Sequence, residues 1–276
     1  MNEEPTCTAC RPNEADREGD DGLRHETDGT SLSDAQCLRY ARQILLPEVG
    51  EEGQARLLKA RVLVVGAGGL GVPIASYLAA AGIGTLGIAD SDRVDIRNLH
   101  RQIAYMEGDV GAVKVDRLGA RIHANNSEIE VLTFPHLTRE NADAVVEGFD
   151  IVVDGCDNYP TRYLVNEACV RQGKILVSGA LSHSDGQLAV FVPGEACYHC
   201  MVPQAPDSFL AQGCVEGGIL GPFAGLFGCW QALETVRQLL GSPHRMRNEL
   251  LLFDARRYET TRIRLKRRTG CPTCGG

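Results

Sequence analysis

The clearest pattern in the chain is a short hydrophobic run, Val62-Leu63-Val64-Val65, that stops at a cluster of glycines. A run of this length, rich in β-branched side chains, predicts a buried parallel strand. Leu70, Ile74, Leu78 and Ala81 follow at helical spacing and predict a helix directly behind the glycines. The alternation continues with strands at 86–89, 129–134, 149–153 and 174–178, and with helices at 111–124, 139–147 and 159–172. Upstream, Ser33-Asp34-Ala35-Gln36 has the form of a capping box and opens a helix with Leu38, Ala41 and Leu45 as its apolar positions. Pro47 ends that helix, and a second one, 51–58, leads into the first strand. Beyond Gly179 the pattern changes: 187–192, 249–253 and 260–266 read as strands, the last with period-two alternation. The succession predicts an α/β fold, a Rossmann-like doubly wound sheet, mainly parallel, with an antiparallel C-terminal extension. The apolar stretch 219–233 is shorter than the roughly 20 residues of a membrane span, so it predicts a buried or subunit-facing helix and no membrane partner.

Charge changes the picture at the N-terminus only. Residues 1–30 hold nine acids and three basic residues, a net of −6, so the rest contributes −2 of the formal −8. With few large hydrophobics, 1–30 predicts a disordered acidic tail, and 31–276 a single domain. No basic excess points to nucleic acid. Eleven cysteines without a hydrophobic signal segment near Met1 point to a reducing, cytoplasmic setting, where paired thiols mean metal or redox chemistry. Cys7-x-x-Cys10 in the tail reads as two chance thiols or as an extra metal or redox site.

Three constellations carry chemistry. Gly66-x-Gly68-x-x-Gly71 has the spacing of a nucleotide loop: a tight turn, close approach of a phosphate, and close packing of helix on strand. Asp90, about 20 residues on, ends a strand where a ribose hydroxyl would meet a carboxylate. Together these predict nucleotide binding without saying which nucleotide. The polar segment Arg97-Asn98-Leu99-His100-Arg101-Gln102, with Lys114 beyond it, suits a triphosphate, because guanidinium groups chelate phosphate oxygens. Asp157 stands at the carboxyl end of a predicted parallel strand, either as a ligand of Mg²⁺ beside bound phosphates or as a helix N-cap. Finally, Cys197-x-x-Cys200 and Cys271-x-x-Cys274 supply two thiolate pairs, the set for a structural tetrahedral zinc with no open position.

Taken in order, Arg39-Tyr40-x-Arg42-Gln43, Gly66-x-Gly68-Gly69-Leu70-Gly71, Asp90-x-Asp92, Arg97-Asn98-Leu99-x-Arg101-Gln102, Lys114, Asp157-Asn158 and the paired cysteines resemble the ThiF/MoeB adenylyltransferases, relatives of the ubiquitin-activating enzymes. The resemblance covers about residues 31–275. It implies an enzyme using ATP and Mg²⁺ to adenylylate the C-terminal glycine carboxylate of a ubiquitin-like sulfur carrier with a Gly-Gly end, releasing pyrophosphate. Gly69, Asp90, Asn98, Arg101 and Lys114 would hold ATP, flanked by Arg97, Leu99, His100 and Asn158. Asp157 would hold Mg²⁺, and Arg42 would reach into the neighbouring subunit of a homodimer. Cys214 stands where some relatives carry a thiol that joins the carrier and others one they do not need. No further domain follows Cys274, so a separate protein would donate sulfur. Two readings compete: the same machinery acting on a peptide or small-molecule carboxylate, and a nucleotide-binding module without turnover. A nicotinamide dehydrogenase would leave the arginines and Asp157 unused. Cys37, Cys156, Cys169 and Cys229 read as buried structural thiols, the basic C-terminal strands as a carrier-facing or a solvated surface, and terminal Gly275-Gly276 as chance.

Overall fold

Each hydrophobic run forms the strand it predicts: β1 (Arg61–Val65), β2 (Thr85–Ala89), β3 (Glu130–Phe134), β4 (Ile151–Asp154), β5 (Ile175–Ser182), β6 (Asp185–Phe191), β7 (Glu249–Asp254) and β8 (Glu259–Arg264). They come from a computed structural model that describes residues 31–205 and 218–275. The tail with Cys7 and Cys10, and Cys214, lie outside the described residues. The eight strands make one sheet in the order β3-β2-β1-β4-β5-β6-β7-β8. β1 pairs in parallel with β2 on one side and β4 on the other. The direction of winding reverses there, which opens a crevice beyond the carboxyl ends of these two strands. β3 and β5 extend the parallel part, and β6, β7 and β8 are antiparallel.

The helices are α1 (Asp34–Ile44), α2 (Gly50–Lys59), α3 (Gly71–Ala81), α4 (Lys114–Asn125), α5 (Ala142–Glu147), α6 (Tyr159–Gln172), α7 (Tyr198–Met201) and α8 (Gly221–Leu239). Period-two alternation divides the core between the faces of the sheet. Val62 and Val64 join one buried cluster with Ile74, Leu78 and Phe227 of α3 and α8. Leu63 and Val65 join the other with Val146 and Val165 of α5 and α6. α8 fills the apolar stretch foreseen as a buried or subunit-facing helix: Phe223, Ala224, Phe227 and Gly228 are buried, while Leu226 and Leu233 are exposed. Among the described residues no helix is long and apolar enough to cross a membrane.

Several sequence expectations shift. α4 begins at Lys114 and α5 at Ala142, each three residues late, while β5 ends four residues later than expected because it pairs with β6 as far as Ser182. The capping box of α1 forms, with Gln36 N–H donating to Ser33 Oγ and Ser33 N–H to Gln36 Oε1. Its buried face is Cys37, Tyr40 and Ile44, whereas Leu38 and Leu45 point to solvent. The Tyr40 hydroxyl explains the choice, since it accepts a hydrogen bond from buried Asn126 Nδ2 at 2.9 Å. β8 is exposed at every position, so its alternation marks no core face. Cys37, Cys156 and Cys169 are buried, and Cys229 is partly exposed.

Asn126 also donates to Ala79 O at 3.2 Å, tying α1 to α3 through one side chain. Asn126→Ala removes the bonds to the Tyr40 hydroxyl and to the Ala79 carbonyl, which keeps only the Gly82 N–H at 3.1 Å. It is expected to lower unfolding free energy by roughly 1–3 kcal/mol in denaturant titration; no change would show that the contact carries no stability.

Candidate functional site

The glycine loop is built by close backbone approach. Gly66 sits at φ +97, in the left-handed region where glycine carries no penalty. A Cβ on Gly71 would lie 1.7 Å from the Gly66 carbonyl oxygen, so helix and strand close only with glycine there. No side chain caps the N-terminus of α3; Val72 N–H donates to Gly68 O and Pro73 has none, so Gly71 is the first-turn N–H left to face an anion. At Gly68 a Cβ would meet only Gln102 Nε2 at 3.7 Å. Gly69 is tighter, with Ala224 Cβ at 3.3 Å and the stem of Arg101 at 3.4 Å. Gly69 thus backs onto Arg101, and Gly68 is the more open position.

Asp90 is held ready at the end of β2. Its two carboxylate oxygens accept the N–H groups of Ala67 and Asp92, both at 2.7 Å. One turn of the glycine loop and the acid are thereby fixed to each other. Tyr105 adds a buried hydroxyl that donates to Ala67 O at 2.9 Å. Burial, with nearby Asp90, holds this phenol above its ordinary pKa and therefore protonated. Lys114, the first residue of α4, is buried and donates to Asp92 Oδ2 at 2.8 Å.

The segment after β2 is irregular and places its polar groups unevenly. Arg101 Nη1 lies 2.9 Å from His100 Nε2 and donates to Arg97 O at 3.4 Å. Arg97 itself is turned to Asp95, its Nη2 donating to Oδ2 at 2.6 Å, and that hydrogen bonding brings the Asp95 carboxyl down to about 2. Asn98 and Leu99 are partly buried and His100 is exposed. Gln102 is buried with Oε1 unpartnered among the described residues, close to Gly68. It was legible as part of the polar run but not as a candidate in its own right.

Across the crevice the turn after β4 packs on the loop. A Cβ on Gly66 would lie 3.0 Å from Gly155 O, and one on Gly155 would lie 3.2 Å from Gly71 N. Of the two roles open to Asp157, the N-cap goes to its neighbour: Asn158 Oδ1 accepts the Thr161 N–H at 2.9 Å. Asp157 is exposed and takes part in none of the described side-chain hydrogen bonds or ion pairs. An exposed carboxylate two residues past Gly155, which packs on the glycine loop, suits a hard cation. Arg42, near the end of α1, is also exposed and forms none of the described side-chain bonds.

The paired cysteines converge. Cys197 Sγ lies 3.7 Å from Cys271 Sγ, Cys200 Sγ lies 3.5 Å from Cys274 Sγ, and all four sulfurs are within 4.8 Å of one another. Tetrahedral Zn–S bonds of about 2.3 Å place sulfurs about 3.8 Å apart, so the set is compatible with zinc. Two donors suit thiolates. Arg268 N–H donates to Cys200 Sγ at 3.3 Å, and Asn166 Nδ2 is buried without a hydrogen-bond partner among the described residues; burial pushes the Cys197 thiol up to about 12, with Asn166 acting in the opposite sense. Asn166 Oδ1 accepts the Tyr198 N–H at 2.7 Å, fixing the first knuckle onto α6.

This geometry agrees with what known proteins resemble the chain. The ThiF family matches residues 40–273, and the chain belongs to that family. A Thermus thermophilus protein named sulfur carrier protein adenylyltransferase is 45% identical over 244 residues, 86% of this chain and 90% of that one. The adenylyltransferase and sulfurtransferase MOCS3 of Anopheles gambiae is 45% identical over 247 residues, 89% of this chain but 56% of its own length. The chain therefore spans about half of the MOCS3 relatives. Among solved structures, Escherichia coli MccB with ATP superposes with a TM-score of 0.74 at 24% identity, covering 86% of this chain and 74% of that one, a likeness of fold.

The purified protein is expected to carry about one zinc per four-cysteine site, measured by elemental analysis. Cys274→Ser or chelation should lower the melting temperature, because the site joins segments 74 residues apart in sequence. An unchanged melting temperature after metal removal would contradict a structural role.

Proposed function

We propose that this chain activates the C-terminal glycine carboxylate of a small ubiquitin-like sulfur-carrier protein as an acyl-adenylate, using ATP and Mg²⁺ and releasing pyrophosphate. The observation that carries this reading is the glycine loop with Asp90 bonded to it and Arg101 packed on Gly69, and it is supported by Lys114 on Asp92 and by Asp157 two residues past the Gly155 contact. A chain 45% identical to a sulfur carrier protein adenylyltransferase, across 90% of that relative, supports the carrier as substrate.

The reaction suits the residues. A carboxylate oxygen of the carrier bonds to the α-phosphorus, the bond from that phosphorus to the bridging oxygen breaks, and pyrophosphate leaves with the electron pair. Anion meets anion, so catalysis needs positioning and cations in place of a protein nucleophile. Asp90 orients the ribose, Gly68 and Gly69 line the phosphates, and Arg101 and Lys114 neutralise charge as it moves to the leaving group. Lys114 exchanges its Asp92 contact for phosphate when ATP enters. Mg²⁺ bound to Asp157 supplies further charge neutralisation at the phosphates. Arg97, Asn98, Leu99, His100 and Asn158 shape the rim of this site.

The protein acts as a cytoplasmic homodimer, with residues 31–276 as one adenylation domain. Exposed Arg42 beside exposed Leu38, Leu45 and Leu46 supports the dimer, in which Arg42 would reach the crevice of the second subunit. Reduced cysteines throughout the described residues fit a reducing compartment. Zinc in the four-cysteine site is structural. Cys214 is not required for adenylylation.

Carrier-dependent exchange of labelled pyrophosphate into ATP tests the reading. Wild-type protein is expected to show it and Asp157→Ala to lose it by roughly 100-fold or more. Absence of exchange with the cognate carrier, despite ATP binding, would overturn the proposal. Mixing Arg42→Ala and Asp157→Ala subunits should restore exchange through one complete site per heterodimer. No recovery after verified subunit mixing would place Arg42 outside the neighbouring site.

A further inference from the structure

Beneath the turn that carries Asp157 lies a closed polar cluster that none of the roles above uses. Its centre is Asp154, the last residue of β4, and Arg162, in the first turn of α6; their side chains are 1% and 6% exposed. Arg162 Nη1 donates to Asp154 Oδ2 at 3.0 Å and to Ser178 Oγ at 3.2 Å, and Ser178 donates to the same carboxylate oxygen at 2.9 Å. Arg162 Nη2 donates to Gly179 O at 2.9 Å and to the carbonyl of Cys156. Asp154 Oδ1 accepts both the backbone N–H of Cys156 at 3.0 Å and its thiol at 2.7 Å. From the other face, Gln231 of α8 donates to Asp154 O at 2.8 Å.

A buried ion pair is a poor source of stability, because the desolvation of both charges offsets their attraction, and an apolar pair of similar size often does as well. What an apolar pair lacks is directional bonds, and here those bonds share one destination. Cys156 is gripped at its N–H, its carbonyl and its thiol by the pair, and Asn158 is fixed by its cap to Thr161. Asp157 stands between these two anchors, on a turn that opens with Gly155 and abuts the glycine loop. Without the grip on Cys156, the upstream side of that turn would be held only by the Gly155 N–H donating to Val65 O at 2.9 Å, two residues short of Asp157.

We propose that the buried Asp154–Arg162 pair is a positioning device for Asp157, fixing the backbone of residues 155–158 so that this carboxylate meets the Mg²⁺ that accompanies ATP. The pair touches neither the metal nor the nucleotide. The proposal rests on the reading of Asp157 given above. It also makes Cys156 a reporter of the clamp, since its buried thiol donates to Asp154 Oδ1 and is shielded as long as the pair holds.

The test compares wild type, Arg162→Lys and Ser178→Ala in three measurements: calorimetric ATP binding with and without Mg²⁺, the Mg²⁺ dependence of pyrophosphate exchange, and alkylation of Cys156 followed by peptide mapping. Loss of an orienting partner behind a metal ligand typically weakens metal affinity by about 10-fold or more, so Arg162→Lys should raise half-saturating Mg²⁺ by at least that factor while metal-free ATP affinity stays within about twofold. Ser178→Ala, which removes the two hydrogen bonds Ser178 makes to the pair and leaves the pair itself, should show a smaller rise in the same direction. Cys156 should alkylate faster in both. If Arg162→Lys does not fold, Ser178→Ala decides the matter. Unchanged half-saturating Mg²⁺ in folded variants, with losses confined to melting temperature or active fraction, would overturn the proposal and leave the pair a structural element. Absence of exchange in wild type would count against the adenylylation reading alone. The calorimetric Mg²⁺ comparison would then still decide whether the pair positions Asp157.

Discussion

The architecture depends on a contact made without side chains, where the loop after β1 meets the turn after β4. The Gly66 carbonyl occupies the space a Cβ on Gly71 would need, and Gly155 closes on Gly66 within contact distance. Larger residues would part the two segments and with them the crevice at the reversal of the sheet. Every group assigned to the nucleotide hangs from chain leaving β1, β2 or β4. Asp90 is bonded to the loop itself, Arg101 lies along Gly69, and Asp157 follows Gly155 by two residues. The backbone contact sets the distances, and the polar side chains work within them.

Much of this was legible because the chemistry demands short, fixed spacings. The glycine loop, the Arg97–Gln102 run and the two Cys-x-x-Cys pairs each sit within a few residues, and the strands announce themselves as hydrophobic runs. What the sequence concealed is made by long-range contacts. Arg162, Asp154 and Ser178 belong to three different elements and have no common spacing, so their cluster has no signature. The face of α1 was misread because apolar Leu38 outranks Tyr40 in any hydrophobic count, while Asn126, far along the chain, rewards burial of the tyrosine. β8 alternates without burying a face because it is the sheet edge, paired only with β7 among the described residues. The two roles open to Asp157 were separated only by seeing which residue caps α6.

That helix joins the two chemical centres. Asn158 caps it beside the crevice, Arg162 grips the turn, Asn166 holds the backbone of the first zinc knuckle, and Tyr163 stacks on His199 with ring centres 4.2 Å apart. The four-cysteine site therefore fixes more than the chain end. It presses the knuckle against the helix whose first turn carries the clamp under Asp157. A metal held by the four cysteines would thus brace the helix that carries the clamp.

The central claim is that the carrier's terminal carboxylate attacks the α-phosphorus of ATP. The most direct measurement places a heavy-oxygen label in that carboxylate, releases the product with an added thiol nucleophile, and locates the label by mass spectrometry. Attack by the carboxylate predicts that one labelled oxygen appears in AMP. Recovery of all the label in the carrier, with AMP unlabelled, would contradict the account.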